Sequence, residues 1–204
     1  MNFNDLPQAI EIALLWTARL SLLAILVAIG LSDIRARRIP NNLVLTGLAI
    51  TLAWHAFAPT GVGLFDRYAP GALGFGTAAL GALLGFVAFF VLYRMRVVGA
   101  GDVKLMAVLG AAFGPKVMPA LMLSIFLCGG MIVLVRIIDT PRRRAVFANM
   151  RVILFERLVP NAGLSFDPNT DTADRVPFAL AMAAGAIVYA LILGGDLLAG
   201  WSVR

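Results

Sequence analysis

Six apolar runs, near 10–31, 42–58, 70–93, 97–113, 117–138 and 177–199, constrain this chain more than any other feature of it. A helix crosses the hydrocarbon core of a bilayer with about 20 mostly apolar residues. So many runs cannot all be hidden inside a soluble domain of 204 residues. Only 14% of the residues are charged and 61% are hydrophobic, with a mean hydropathy of +0.92. A soluble domain is roughly half apolar and a quarter charged, so lipid must act as solvent for most of this surface. The expected fold is all-α: an integral membrane bundle of about six transmembrane helices, built as one domain over 1–204. The second and fourth runs, at 17 residues each, are short for spans. The third carries Gly71, Gly74, Gly76, Gly81 and Gly85, and the sixth pairs Ala181 with Gly185. Small residues four apart let helix backbones approach closely.

Charge orients the spans. A net charge of +6 and a pI near 10.4 would suggest nucleic acid in a soluble protein. Here the basic residues lie between apolar runs, so no nucleic-acid partner is expected; the partner is the bilayer. Twelve of them follow runs one, three and five: Arg35, Arg37, Arg38, Arg94, Arg96, Arg136, Arg142, Arg143, Arg144, Arg151, Arg157 and Arg175. The opposite side has three, Arg67, Lys116 and Arg204. Lys and Arg mark cytoplasmic loops. Both termini are therefore expected in the periplasm of a multi-pass bacterial inner-membrane protein. The long segment 139–176 is expected on the cytoplasmic leaflet, with an interfacial amphipathic helix over 145–159 anchored by basic residues. The N-terminal stretch carries Asp5 and Glu11 and no Lys or Arg, unlike a cleavable signal. The single cysteine, Cys128, excludes an internal disulfide and a paired-cysteine metal site. No metal or cofactor is expected.

Two aspartates carry the chemistry. Asp33 closes the first run, and Asp102 is expected about five residues into the fourth. The arginine-derived topology puts both near the cytoplasmic surface, at a shared depth. An ionisable group at membrane depth faces a cavity or a partner. Two close carboxylates retain one proton between them, which suits them to activate water and protonate a leaving amine. Gly99 and Gly101 let the backbone unwind or approach a substrate strand. The structural alternative pairs Asp33 with nearby arginines in a loop and Asp102 with Lys104. The second pairing is the weaker, because residues two apart on a helix do not face each other. Pro40 fixes a turn, and Asn41 or Asn42 can cap the second span. Lys104 either tunes the carboxylates or snorkels to the interface. Arg19, mid-span, has Glu11 or Asp196 as candidate partners, or snorkels outward; His55 is expected at the outer interface.

The motif Gly99-Ala100-Gly101-Asp102 resembles the glycine-x-glycine-aspartate signature of intramembrane aspartic proteases. Asp33 followed by Arg37-Arg38-Ile39-Pro40-Asn41 resembles the first-aspartate motif of type IV prepilin peptidases, Lys104 fits their second motif, and Arg175-Val176-Pro177-Phe178-Ala179 resembles the proline motif opening their last helix. The resemblance implies catalytic roles for Asp33 and Asp102, with Gly99, Gly101, Lys104, Pro40 and Asn41 in support. It implies a cytoplasm-facing catalytic cavity, no cofactor, and cleavage of leader peptides from prepilin or pseudopilin precursors. Bifunctional members carry an N-terminal methyltransferase region with paired cysteines. This sequence has neither the length nor the cysteines, and looks like the short peptidase-only branch serving tight-adherence or Flp-type pili.

Two other readings make different demands. A small transporter or proton relay through Asp102 and Lys104 would not need Asp33, and a non-catalytic scaffold of a pilus or secretion machine would need neither aspartate. Orientation underlies all three and is directly measurable. A cysteine introduced at Asn169, with Cys128→Ser, should be labelled only by reagents that reach the cytoplasm; periplasmic labelling would reverse the topology.

Overall fold

A computed structural model describes residues 8–66, 70–138 and 178–193. Six α-helices occur among them: α1 (Gln8–Ala36), α2 (Asn41–Phe57), α3 (Phe75–Arg94), α4 (Ala100–Phe113), α5 (Met118–Ile138) and α6 (Phe178–Val188). A π-helical turn, Tyr189–Leu193, continues α6. No strand occurs among the described residues beyond two isolated bridges, Thr60 to Ala72 and Gly63 to Pro70. The chain divides into two compact units, residues 1–128 with 177–204, and residues 129–176. The first holds both aspartates and every side-chain contact described below. Of the second, only the C-terminal part of α5 is described; the expected interfacial segment 139–176 otherwise lies outside the described residues, as does the remainder of the sixth run from 194.

The helices sort by length and by what surrounds them. Three stretches, Ile12–Ala36, Phe75–Arg94 and Met118–Val135, are long and apolar enough to cross a membrane, and only 22–28% of each apolar window is buried. Their remaining faces carry exposed Leu, Val, Ile and Phe side chains, which suits lipid. The short helices are the interior ones. In α4, ten of 14 residues are buried, and in α6 six of 11. Between these extremes, α2 buries a single stripe, Val44, Gly47, Thr51 and His55. Its spacing of three and four residues is that of one helix face.

Helix association in lipid gains little from the hydrophobic effect and depends on close packing. The α3 stripe is built for that, with Ala78, Gly81, Gly85 and Phe89 buried against α4. A Cβ at Gly81 would collide with the Gly110 carbonyl of α4, and one at Gly110 with the Gly81 carbonyl. A Cβ at Gly85 would stand 2.5 Å from the Met106 carbonyl oxygen. The backbones therefore touch along more than a turn. A second approach uses Gly185 of α6, where a Cβ would lie 2.5 Å from Ile125 Cα of α5; beside it the Ser124 hydroxyl donates to the Gly185 carbonyl at 2.8 Å. The small-residue spacings of the third and sixth runs thus mark real contacts.

Several boundaries depart from the expected spans. The third run begins as loop, because Pro70–Gly74 pair with the preceding segment: Ala72 N–H donates to Pro59 O and Gly71 N–H to Gly63 O. The helix starts only at Phe75, after Gly74 at φ +83°. The fourth starts at Ala100, not 97, with Gly99 extended as its N-cap. Two side chains have partners that the sequence did not indicate. His55, near the end of α2, is buried in the protein, 1% exposed. Its Nδ1 accepts the Leu73 N–H at 3.0 Å, which leaves Nε2 to donate toward the Ala112 carbonyl at 3.4 Å. One ring thereby ties α2 to the loop before α3 and to the end of α4. Arg19 turns to backbone carbonyls; the side chains of Glu11 and Asp196, its candidate partners from sequence, lie outside the described residues. Its Nε and a terminal nitrogen donate to the carbonyls of Leu64 and Asp66, at 2.7 and 2.9 Å, and its guanidinium lies 5.5 Å from the Trp16 ring centre.

The α3–α4 contact gives a direct test. Gly81→Val must separate two backbones, at a cost of about 3 kcal/mol, the upper end of typical overpacking penalties. Gly76→Ala meets nothing within 4 Å and should melt like the parent. Thermal unfolding in detergent, followed by circular dichroism, should show a clear loss for the first and none for the second.

Candidate active site

Asp33 lies three residues before the end of α1, within the helix. It is 9% exposed, so it is not the solvated loop residue of the structural alternative. The helix ends because Arg37 adopts φ +50°, a left-handed conformation that closes the last turn with its N–H on the Asp33 carbonyl at 3.0 Å. Ser32 Oγ donates to the Arg38 carbonyl at 3.0 Å and holds the turn that follows. The Asp33 side chain points to α6. Its Oδ2 accepts the Ala179 N–H at 2.9 Å, with the Leu180 amide beside it. First-turn amides of a helix have no partner within the helix and carry its positive dipole end, so a carboxylate there is well held.

Asp102 is the third residue of α4, nearer the helix start than expected, because Gly99 and not an earlier residue begins it. It is 8% exposed. Its Oδ2 accepts the Gly99 N–H at 2.9 Å, the carboxylate half of a capping box. Its charge does not pair with Lys104, whose Nζ donates instead to Asn41 Oδ1 at 3.0 Å. The two carboxylates are near enough for the Asp33 charge to act on Asp102.

Pro40 is the extended N-cap of α2, with φ −64° and ψ 126°, and no side chain caps that helix. Asn41 is its first residue, so the expected cap by Asn41 or Asn42 is replaced by the Asn41–Lys104 bond. Gly99 stays extended rather than unwinding a helix, and Gly101 is helical and faces Ile39; a Cβ at Gly101 would stand 3.0 Å from Ile39 Cδ1. All the site residues named from sequence thus gather around two helix ends: the close of α1 with its turn into α2, and the first two turns of α4.

Sequence reasoning gave no role of their own to three contributors: the Ala179 amide, the Ser32 hydroxyl and Ile39. Ala179 and Ile39 stand inside the motifs quoted above, and Pro177 announces a helix start beside Ala179; for Ser32 no signal existed. Among the described residues no group of three or more His, Cys, Asp or Glu comes together as a metal site would require. Chemically, the arrangement offers two poorly solvated carboxylates, each fixed through one oxygen by a backbone amide.

The sequence profile of the type IV leader peptidase family matches residues 20–134, more than half of the chain. Comparison with curated proteins and with solved structures gives no match. The matched stretch runs from α1 into α5 and includes both Asp33 and Asp102. This membrane protein, a protease, therefore belongs to the type IV leader peptidase family.

Proposed function

We propose that this chain is an intramembrane aspartic endopeptidase that cuts the leader from prepilin or pseudopilin precursors at the cytoplasmic face of a bacterial inner membrane. The observation that carries this reading is the pair of buried carboxylates, Asp33 and Asp102, in electrostatic reach of each other within a leader-peptidase chain. The cytoplasmic face, multi-pass topology and periplasmic termini rest on the arginine distribution. Flp-type prepilins are the substrate class put forward, on the resemblance to the peptidase-only branch.

Mechanism follows from sharing one proton between two carboxylates. The ionised member takes a proton from water as the water oxygen bonds to the scissile carbonyl carbon. The protonated member gives its proton to the carbonyl oxygen. Collapse of the tetrahedral intermediate breaks the C–N bond, and a proton passes to the departing amine. One water is consumed, a carboxylic acid and an amine form, and the pair keeps one proton. Low exposure of both groups strengthens these charge interactions. Gly99 leaves the approach to Asp102 free of a side chain, since a Cβ there would stand 3.3 Å from Asp102 Oδ2. The relay reading loses its central pairing, because Lys104 bonds Asn41 and not Asp102.

Asp33→Asn and Asp102→Asn should each lower leader cleavage by about a thousandfold, within the usual range for losing a general acid or base. The double variant should be no worse than either single one, since the two act as a unit. A gel-shift assay of prepilin processing at matched enzyme levels reads this. Substantial processing by either Asn variant would remove that aspartate from the mechanism.

A further inference from the structure

The two aspartate-bearing helices find their principal neighbours elsewhere: α1 packs mainly on α6 and α2, and α4 mainly on α3 and α2. Something other than a broad α1–α4 interface must therefore set the spacing of the carboxylates. The turn between α1 and α2 is the direct link. It begins one helical turn after Asp33, where Arg37 N–H bonds the Asp33 carbonyl, and Ser32 fixes it through the Arg38 carbonyl. Its far side rests on α4 at two points. Ile39 fills the space where a Gly101 side chain would be, with Cδ1, Cβ and Cγ1 at 3.0, 3.2 and 3.2 Å from that Cβ position. Asn41 accepts from Lys104 at 3.0 Å. Gly101 and Lys104 are three apart and share a helix face. Asp102 lies between them in sequence and is buried, whereas Lys104 is exposed.

We propose that Lys104 and Asn41 form a latch which, with Ile39 seated on Gly101, sets the distance between Asp33 and Asp102, making both latch residues positioning residues for the proteolysis proposed above. The inference rests on that reading for its kinetic consequence but not for its geometry. The chemistry suits the task. An ammonium donor makes a stronger hydrogen bond than a neutral one, and Asn41 is fixed on the first turn of α2. The bond therefore links the turn after Asp33 to the second turn of α4. A charge-tuning role for Lys104 would need no Asn41 and would act through the pH profile. A latch needs both ends and acts on kcat.

Five variants separate these. Lys104→Met and Asn41→Ala should each lower kcat by about 10- to 100-fold, the scale of a lost charge-assisted bond or a misplaced reacting group. KM for a prepilin peptide and the shape of the pH profile should stay unchanged. The double variant should match the singles. Asn41→Asp, which keeps an acceptor for the ammonium, should retain activity with Lys104 and give no rescue of Lys104→Met. A geometric readout runs alongside, using spin labels at Arg35→Cys and Ala100→Cys with Cys128→Ser. The distance distribution should be narrow in the parent and broader in both latch variants. Unchanged distributions would overturn the latch whatever the kinetics. A kcat loss in Lys104→Met without one in Asn41→Ala, or a pH profile shifted only by Lys104→Met, would also overturn it. Broadened distributions in an enzyme that cuts no prepilin would uphold the latch and remove the functional reading instead.

Discussion

At 1.5 Å per residue a helix of 14 residues reaches about 21 Å, well short of a hydrocarbon core roughly 30 Å thick. Such a helix is tolerable in a bilayer only if protein and not lipid surrounds it. That is the position of α4. Contact of the α3 and α4 backbones at Gly81 and Gly110 removes the side chains that would otherwise hold α4 at a distance. With α3 on one side and α2 and α6 on others, α4 can carry Asp102 without presenting it to lipid. The longer α1, α3 and α5 have apolar faces that suit lipid, while the short α4 carries Asp102 and the short α6 holds Asp33 of α1.

Placing carboxylates at this depth raises a second demand, since a buried polar group without partners is costly. The structure meets it with backbone rather than with side chains. Asp33 takes an amide from the start of α6, and Asp102 takes one from its own N-cap. Main-chain donors at helix starts are already fixed, so no rotamer freedom is lost in presenting them. They also bring the dipole of the helix, a contribution of about 0.3–1 kcal/mol at an exposed site and more when partly buried. The same device recurs in reverse at Arg19, whose guanidinium satisfies carbonyls of the loop after α2. His55 performs a similar service for the Leu73 amide.

Periodic and cumulative features were legible in the sequence. The apolar runs predicted all the described helices, and glycine spacing in the third run predicted its close contact, because both are repeated signals that survive local uncertainty. Asp33 and Asp102 could be singled out because acidic residues are rare in apolar surroundings. What failed depended on chain segments distant in sequence. Nothing around Arg19 indicates that its acceptors are carbonyls some 45 residues later, and nothing around His55 indicates a lid formed by Leu73. Asn41 looked like a cap because caps are local; its Lys104 partner is 63 residues away. Local boundaries failed for a related reason, as Pro70–Gly74 read as apolar span but bond back to the loop before them.

The bond from Ala179 to Asp33 joins residues 146 apart. Membrane helices enter the bilayer in the order in which the ribosome makes them, so α1 waits in the lipid while everything up to α6 is synthesised. Until α6 arrives, Asp33 lacks the amide that holds it, and the proposed pair is incomplete. On that reading the order of translation delays assembly of the pair until α6 is in place.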